Sequence, residues 1–358
     1  MDLIEAFRSQ AAACSRLGSP MYDALLRRWA DDLEAGGPTL AVLRGHEHDA
    51  GPSGLALRLA GTLHRLVLTG ECVELGGFYP TTGGVWEPER AFPWVLGATE
   101  RLREPLREGL SRAPQTNEVG RAGALIGALR LLAARHRRPV RLVEIGASGG
   151  LNLQADRFRV DLGPGAGYGP ADSPVRLVDA WHGDLPELAP SVEVVERAGC
   201  DLAPVDVTTE DGRLTLTSYV WPDMTARHER LTGAIELARR DPVAVRAQGA
   251  GDFVEGLTLA DETLTVLWHS VMWQYLPREE QHRVRAAVER LGGSATEGRA
   301  TEGRATEGRA FAHVFMEPTR RTADAEHEFL LCLEEWPGSG ERQVLATVAP
   351  HGLPVLWE

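Results

Sequence analysis

The stretch that decides the fold is Val140-Arg-Leu-Val-Glu-Ile-Gly146-Ala-Ser-Gly-Gly-Leu-Asn152. A short apolar run rich in β-branched residues leads into glycines, and a helix-like segment follows them. Glycine lets the backbone approach a ligand closely, and the first turn of a helix offers unpaired N–H groups. The stretch therefore predicts a strand, a ligand-binding loop and a helix, in that order.

Further short apolar runs follow this stretch, and segments with helical periodicity separate them. The runs are residues 192–200, 243–247, 264–268 and 311–316, and the helical segments include 225–240 and 278–291. Strands that alternate with helices predict an α/β fold with a mostly parallel, doubly wound sheet. Two final runs, 329–336 and 342–348, flank Pro337-Gly-Ser-Gly and predict an antiparallel C-terminal hairpin.

The part of the chain before the sheet is predicted to be mostly helical. Residues 21–33 and 125–134 carry apolar side chains at three- and four-residue spacing. We therefore expect a helical N-terminal cap region over 1–138 and the sheet domain over 139–358. The turn-rich residues 76–94 predict a long loop.

Two insertions are expected in the sheet domain. Residues 158–184 are rich in glycine and proline. Residues 295–309 repeat Ala-Thr-Glu-Gly-Arg three times, and because a five-residue period fits no solenoid, they predict a low-complexity surface loop.

Composition limits the partners and the compartment. The 358-residue chain has a formal net charge of -13, which disfavours nucleic acid as a partner. It contains no lysine, so a Schiff base and a P-loop are excluded. No apolar run reaches the roughly 18 residues that span a bilayer, so no membrane partner is expected. The four cysteines are scattered, which fits a reducing cytoplasm. A small-molecule substrate is expected, and the oligomeric state stays open.

Several ligand chemistries compete for the glycine loop. Gly146 and Gly149 do not fit the G-x-G-x-x-G dinucleotide fingerprint. The loop does satisfy G-x-S-x-G, the nucleophile elbow of α/β-hydrolases, with Ser148 as nucleophile, Asp252 as acid and His351 as base. A hydrolase places several strands before its elbow, whereas the residues before Val140 are predicted to be helical.

Four segments resemble class I methyltransferases that use S-adenosylmethionine (SAM). Glu144 and Gly146 resemble the start of the E/D-x-G-x-G-x-G loop, with Ser148 as a departure from it. Gly199-Cys-Asp-Leu-Ala-Pro204 resembles the end of the second strand of that fold. Residues 247–253 resemble the segment after the third strand, and 264–277 resemble the segment at the reaction centre.

This resemblance implies a Rossmann-like SAM-binding domain over 139–358, with SAM as the cofactor. The amino-acid end of SAM would be held by the loop, ribose by Asp201, and adenine by Asp252 and Phe253. The cofactor-binding residues implied in this way are Glu144, Gly146, Ala147, Ser148, Gly149, Asn152, Asp201, Leu202, Asp252 and Phe253.

The acceptor side is expected at the end of the fourth strand. His269 is predicted to act as base or substrate contact, because an oxygen or nitrogen acceptor must shed a proton as it is methylated. Tyr275 is the second catalytic candidate. The substrate-binding candidates are Gln115, Asn117, Arg121 and Trp221, of which the first three are equally explained as a helix cap and a surface ion pair.

Two other polar motifs are interpreted without a site. Asp223, in Trp221-Pro-Asp223, is predicted to cap the helix that follows it. His46 and His48 lie in a glycine-rich loop without further spaced ligands, so no metal is expected.

The whole chain also resembles a bacterial domain-of-unknown-function family, number 2332. The residues that carry this resemblance are Gln115–Arg121, Glu144–Asn152, Gly199–Pro204, Trp221 to Asp223 with Arg227 and Arg230, His269-Ser270 with Tyr275-Leu-Pro, and Pro350–Gly352. It implies a methyltransferase-like fold but no substrate. The leading hypothesis is thus a SAM-dependent methyltransferase with an unidentified small-molecule acceptor. The alternatives are a serine hydrolase and a fold relative that binds SAM or a metabolite without catalysis.

Overall fold

The structure is a computed structural model that describes residues 2–49, 54–112, 114–163, 165–297 and 308–358. The chain forms two compact units. The first contains residues 1–116 and 209–229, and the second contains residues 117–208 and 230–358. The sequence predicted a single division at residue 138, whereas here the helix before the first strand belongs to the second unit.

Helices make up most of the first unit and flank the sheet of the second. In the described residues they are α1 (Leu3–Arg16), α2 (Pro20–Glu34), α3 (Pro38–Leu43), α4 (Leu55–Leu68), α5 (Val73–Gly76), α6 (Pro88–Arg101), α7 (Arg103–Leu110), α8 (Ala122–His136), α9 (Glu210–Tyr219), α10 (Thr225–Arg240), α11 (Ala250–Glu255) and α12 (Arg278–Glu297). No helix in the part of the chain that the structure describes is both long and apolar enough to cross a membrane.

Side-chain caps and aromatic packing define the first unit. The Asp2 carboxylate accepts the Glu5 N–H at 2.7 Å at the start of α1, which satisfies a backbone donor that the helix leaves unpaired. Trp29 of α2 is fully buried, and its indole N–H donates to Thr99 of α6. Phe7 of α1 meets the Trp29 ring edge to face.

The second unit is built on a large, mostly parallel sheet. Its strands, with those of a small separate sheet, are β1 (Val140–Ile145), β2 (Arg159–Asp161), β3 (Gly167–Tyr168), β4 (Arg176–Val178), β5 (Trp181–Gly183), β6 (Val194–Asp201), β7 (Val245–Ala247), β8 (Leu264–Ser270), β9 (Ala310–Thr319), β10 (Glu328–Trp336), β11 (Gln343–Val348) and β12 (Val355–Trp357). In the described residues the large sheet has the order β5-β12-β11-β10-β9-β8-β1-β6-β7.

The parallel half of this sheet is wound in two directions from β1. Strand β1 pairs in parallel with β6 on one side and with β8 on the other. The chain therefore proceeds outward through β6 and β7, and then returns to the far side of β1 for β8 and β9. In open α/β sheets this reversal of strand order opens a crevice at the carboxyl ends of the strands.

The sheet continues on its other side as an antiparallel meander. Each consecutive pair of strands from β9 to β12 is antiparallel. The pair of β10 and β11 is the hairpin that the sequence predicted. Strand β5 then adds in parallel to β12. The predicted α/β class with a mostly parallel central sheet is therefore confirmed.

Helices α11 and α12 cover apolar residues on one face of the sheet, and α8 is itself largely buried. Val143 and Ile145 of β1 and Leu267 of β8 pack with apolar residues of α11 and α12 in one core cluster. On α8, residues 122–132 are all buried, including Arg130 at 4% exposure. A helix that is buried on all sides is expected to be apolar on all sides, and among residues 122–132 of α8 only Arg130 is charged.

Two of the segments predicted as an insertion or a loop contain regular secondary structure, and the third lies mostly outside the described residues. The insertion 158–184 forms the small sheet of β2, β3 and β4, and contributes β5 to the large sheet. Helix α6 starts at Pro88 inside the predicted loop 76–94, because proline fits the first turn of a helix. In the repeat segment 295–309, α12 continues to Glu297, and residues 298–307 lie outside the described residues.

Candidate functional site

The loop after β1 adopts a conformation that its residue types explain. Gly146 and Gly150 have φ of 68° and 70°, where glycine carries no steric penalty. Ser148 lies between them at φ 51°, an uncommon conformation for a residue with a side chain. A Cβ on Gly146 would lie 3.0 Å from Cβ and Cγ of Met272, which follows β8. The loop is therefore held tightly against the end of β8.

Asp201, the last residue of β6, fastens this loop to the neighbouring strand. One carboxylate oxygen accepts the Ser148 N–H at 2.9 Å, and the other accepts the Ala203 N–H at 2.9 Å. Leu202, directly after it, is 79% exposed. An acid and an exposed apolar side chain thus stand side by side at the carboxyl edge of the sheet.

Glu144 lies beneath the loop with an unused acceptor. Its side chain is 2% exposed, and Oε2 has no hydrogen-bond partner among the described residues. Burial raises the pKa of Glu144 well above its usual value, and the charge of Asp201 raises it further. The nearby Trp268 indole N–H and the Arg121 guanidinium act in the opposite direction on this pKa.

Residues before α8 close over the 3₁₀ helix Leu151–Arg157 that follows the loop. The Asn117 side-chain oxygen accepts the Leu151 N–H at 3.0 Å, and Asn152 donates to the Glu118 carbonyl at 3.3 Å. The side-chain oxygen of Asn152 is buried without a partner among the described residues. Arg121 donates to the Ser270 carbonyl at 3.3 Å, which ties this segment to β8.

A cavity of about 450 Å³ lies against the same loop. Gly149 and Gly150 form part of its wall, and residues 204–208 and 242–245 form most of the rest. Ala147 is fully buried and donates its N–H to the Cys200 carbonyl, so it supports the loop from below.

Two residues expected at adenine have other surroundings. Asp252 forms an ion pair with Arg283, which also pairs with Glu255. Phe253 is 3% exposed and packs in the core between the sheet, α11 and α12. Its ring would have to be exposed to stack on a base, so its packing accounts for it without a ligand.

The contacts of the hydrolase partners do not form the expected triad. Asp252 is paired with Arg283, whereas Nδ1 of His351 lies 3.7 Å from Glu118 Oε2. In the described residues, β1 is the only strand that precedes Ser148, and an α/β-hydrolase needs several.

His269 faces the α12 side of the sheet and is 2% exposed. Its Nδ1 lies 2.8 Å from Glu317 Oε1, and its Nε2 lies 3.1 Å from Nε2 of His313. Both ring nitrogens are thus engaged. Tyr275, the other catalytic candidate, is 67% exposed in a 3₁₀ turn after β8.

Gln115 and Trp221 belong to the first unit. Trp221 is 6% exposed and packs on Tyr22, with ring centroids 5.9 Å apart. Asp223 accepts hydrogen bonds from Ser19 Oγ at 2.6 Å and from the Met21 N–H at 2.9 Å. Its carboxylate therefore binds the residues at the start of α2.

Sequence reasoning missed the buried acids Glu118 and Glu317 and the buried His313. Glu118 accepts the Gly120 N–H at 3.1 Å. A usable signal was present for the other two, since His313, Phe315 and Glu317 alternate along β9 and therefore share one face. Within the described residues, no group of three or more His, Cys, Asp or Glu side chains could hold a metal ion.

Comparison with known proteins gives a match to a family model. The model of a family described as "Uncharacterized protein conserved in bacteria (DUF2332)" matches residues 4–357. No curated protein matches the chain, and no solved structure does.

Proposed function

The chain belongs to the bacterial family DUF2332, and we propose that it is a SAM-dependent methyltransferase that acts on a small molecule. The observation that carries the proposal is the bond between Asp201 and the Ser148 N–H. This bond joins the glycine loop after β1 to an acid at the carboxyl end of β6. Strand β6 is the parallel neighbour of β1.

The strand order supports a nucleotide-type ligand at this edge. The order β7-β6-β1-β8-β9 reverses at β1, and ligands of doubly wound sheets bind at the carboxyl ends of the strands where such a reversal occurs. Gly146, Asp201 and Met272 all follow or end strands at that edge.

The chemistry of the donor set fits the cofactor. Each oxygen of Asp201 accepts one backbone N–H and retains acceptor capacity for a ribose hydroxyl. Leu202 offers an exposed apolar surface for a base. Glu144 Oε2 and Asn152 Oδ1 are buried acceptors without a donor among the described residues, and an ammonium group would supply one. The 450 Å³ cavity at Gly149 is in the range of small-molecule sites.

SAM, when bound, supplies an electrophilic methyl group on a sulfonium sulfur. The residues of this chain bind and orient it: the loop of Gly146, Ser148 and Gly149 takes the amino-acid end, and Asp201 takes the ribose. Catalysis would then depend on proximity and alignment of the acceptor. Tyr275, Asn117 and Arg121 remain the predicted acceptor contacts.

Calorimetric titration with S-adenosylhomocysteine tests the proposal. We expect the wild-type chain to bind it, and Asp201→Asn to weaken binding at least about tenfold, which corresponds to about 1.4 kcal/mol. The matched control is Asp252→Asn, because that acid is already paired with Arg283 and should leave the affinity unchanged.

Two results would count against the proposal. One is the absence of binding heat with correctly folded wild-type protein. The other is equal affinity in Asp201→Asn and wild type, with thermal melting used to show that the variant is folded. Labelling of Ser148 by a fluorophosphonate probe would instead favour the hydrolase alternative. Binding without methyl transfer to any metabolite tested would favour the non-catalytic alternative.

A further inference from the structure

A second cavity, of about 250 Å³, lies between α12 and strands β8, β9 and β10. Its wall combines three aromatic rings, Trp273, Phe315 and Trp336, with a buried acid, Glu317. Flat aromatic walls favour a planar occupant. The glycine loop after β1 does not line this cavity.

A chain of ionisable side chains runs along one face of the sheet at this cavity. Glu317 contacts His269, His269 contacts His313 at 3.1 Å, and Nδ1 of His313 lies 2.8 Å from Glu334 Oε2. Strand register explains the arrangement, because His313 of β9 stands directly opposite Glu334 of β10. The His269 ring is stacked on Phe315 and Trp273, which fixes its plane.

The two ends of this chain are differently exposed. The side chain of Glu334 is 24% exposed, whereas those of Glu317 and His269 are 5% and 2% exposed. Burial lowers the pKa of His313, so its neutral form is favoured. Nδ1 of His269 lies 2.8 Å from Glu317 Oε1, and Nδ1 of His313 lies 2.8 Å from Glu334 Oε2, so a carboxyl group stands at each end of the chain.

Only one of the two carboxylate oxygens of Glu317 is hydrogen-bonded among the described residues. Its Oε1 accepts from His269 Nδ1 at 2.8 Å, from the Met272 N–H at 3.0 Å and from the Trp273 N–H at 3.3 Å. Its Oε2 is buried and has no donor among the described residues. A buried acceptor without a donor has lost its bonds to water without replacement, and a ligand donor would restore one.

The arginines that line the cavity do not pair with Glu317 at its buried end. Arg285 and Arg342 are exposed and therefore lie at the solvent side. The Arg285 guanidinium lies over the Trp273 ring at 5.1 Å, and Arg342 donates to the carbonyls of Arg320 and Arg321. The buried end of the cavity is thus acidic and lacks a partner for Glu317 Oε2.

We propose that this cavity is a binding site for a small planar molecule with a cationic nitrogen donor, which bonds to Glu317 Oε2 and packs against the aromatic residues of the wall. The inference goes beyond the proposed function and does not depend on it. Three probes with the same ring separate charge from shape: benzamidine is a cation with N–H donors, benzamide is neutral with N–H donors, and benzoate is an anion.

Titration of the full chain with these probes, followed by calorimetry or by ligand-observed NMR, tests the site. We expect benzamidine to bind at least about tenfold more tightly than benzoate, with benzamide between them. Glu317→Gln should lower benzamidine affinity at least about tenfold, because the amide keeps one oxygen for His269 and turns a donor toward the ligand. Glu341→Gln removes the same charge at an exposed position outside the cavity wall and should change nothing.

Glu334→Gln provides a second variant if Glu317→Gln does not fold. It leaves the bonds of Glu317 intact and removes the charge at the other end, so we expect a smaller loss of benzamidine affinity. The proposal is overturned if benzamidine does not bind at about millimolar concentration. It is also overturned if benzoate binds as tightly as benzamidine, or if neither Glu317→Gln nor Glu334→Gln weakens benzamidine binding. No S-adenosyl ligand is present in these titrations, so their failure would leave the proposed function standing.

Discussion

Buried ionisable side chains define the chemistry of both units at the scale of single residues. Glu144 and Glu317 each have an oxygen without a donor among the described residues. His64 of α4 is the opposite case, because it is fully buried with both ring nitrogens satisfied. Nδ1 lies 3.0 Å from the Ser218 carbonyl, which requires an N–H there, and Nε2 lies 2.8 Å from Thr81 Oγ1 and accepts its proton.

The burial of His64 predicts a loss of stability in acid. Burial lowers the pKa of His64 from 6.5 to about 3, so the folded chain keeps it neutral while the unfolded chain takes up a proton. The contribution of this residue to stability is therefore complete above pH 6.5 and is lost as the pH falls toward about 3. We expect the free energy of unfolding to fall by about 1 kcal/mol between about pH 6.5 and 5.5 because of this residue, and urea unfolding measures that change. His64→Gln should remove this part of the pH dependence, whereas His48→Gln, at an exposed histidine, should retain it. Equal slopes in all three proteins would contradict the prediction.

Local sequence patterns predict the individual strands and helices of the sheet domain. They do not predict which strands pair with one another. The run at Val140 and the glycines after it predicted β1 and its loop because β-branched residues and positive φ each act locally. Sequence reasoning also identified the run of β9. It did not identify the face on which His313 and Glu317 meet His269, because that contact depends on the pairing of β9 with β8.

Two helical glycines should respond oppositely to alanine. In α8, a Cβ at Gly127 would lie 2.1 Å from Cζ2 of Trp357, so Gly127→Ala should cost about 1–3 kcal/mol through overpacking. In α6, a Cβ at Gly97 meets nothing within 4 Å, so Gly97→Ala should gain about 0.5–1 kcal/mol of helix propensity. Chemical denaturation of the two variants measures both changes. A destabilised Gly97→Ala, or a neutral Gly127→Ala, would show that these surroundings are not as described.

At the scale of the whole molecule, each unit is assembled from two separate stretches of chain. The first unit recruits residues 209–229, and Trp221 from that stretch lies in its core. The second unit includes α8, although the sequence assigned that helix to the N-terminal cap. Helix α8 buries Leu125, Leu129 and Leu132, each at 1% exposure or less.

Truncation distinguishes the two divisions of the chain. A fragment of residues 139–358 lacks α8, and we expect it to show no cooperative urea transition. A fragment of residues 117–358 retains α8 and should unfold cooperatively, with lower stability than the full chain because the partners of Trp221 are missing. Near-ultraviolet circular dichroism during urea titration measures both. Identical transitions in the two fragments would show that α8 is not part of the core of the second unit.

The sequence by itself determined what depends on neighbouring residues along the chain. The succession of strands and helices and the glycine loop at Gly146 were predicted from local patterns, since periodicity and backbone preference act over a few residues. Asp201 was singled out by the resemblance to class I methyltransferases. Tertiary structure alone decided the surroundings of each side chain. Phe253 packs in the core, and Asp252 forms an ion pair with Arg283. His269 of β8 contacts Glu317 and His313 of β9. Burial and charge pairing arise between residues far apart in sequence, and a single sequence does not record those contacts.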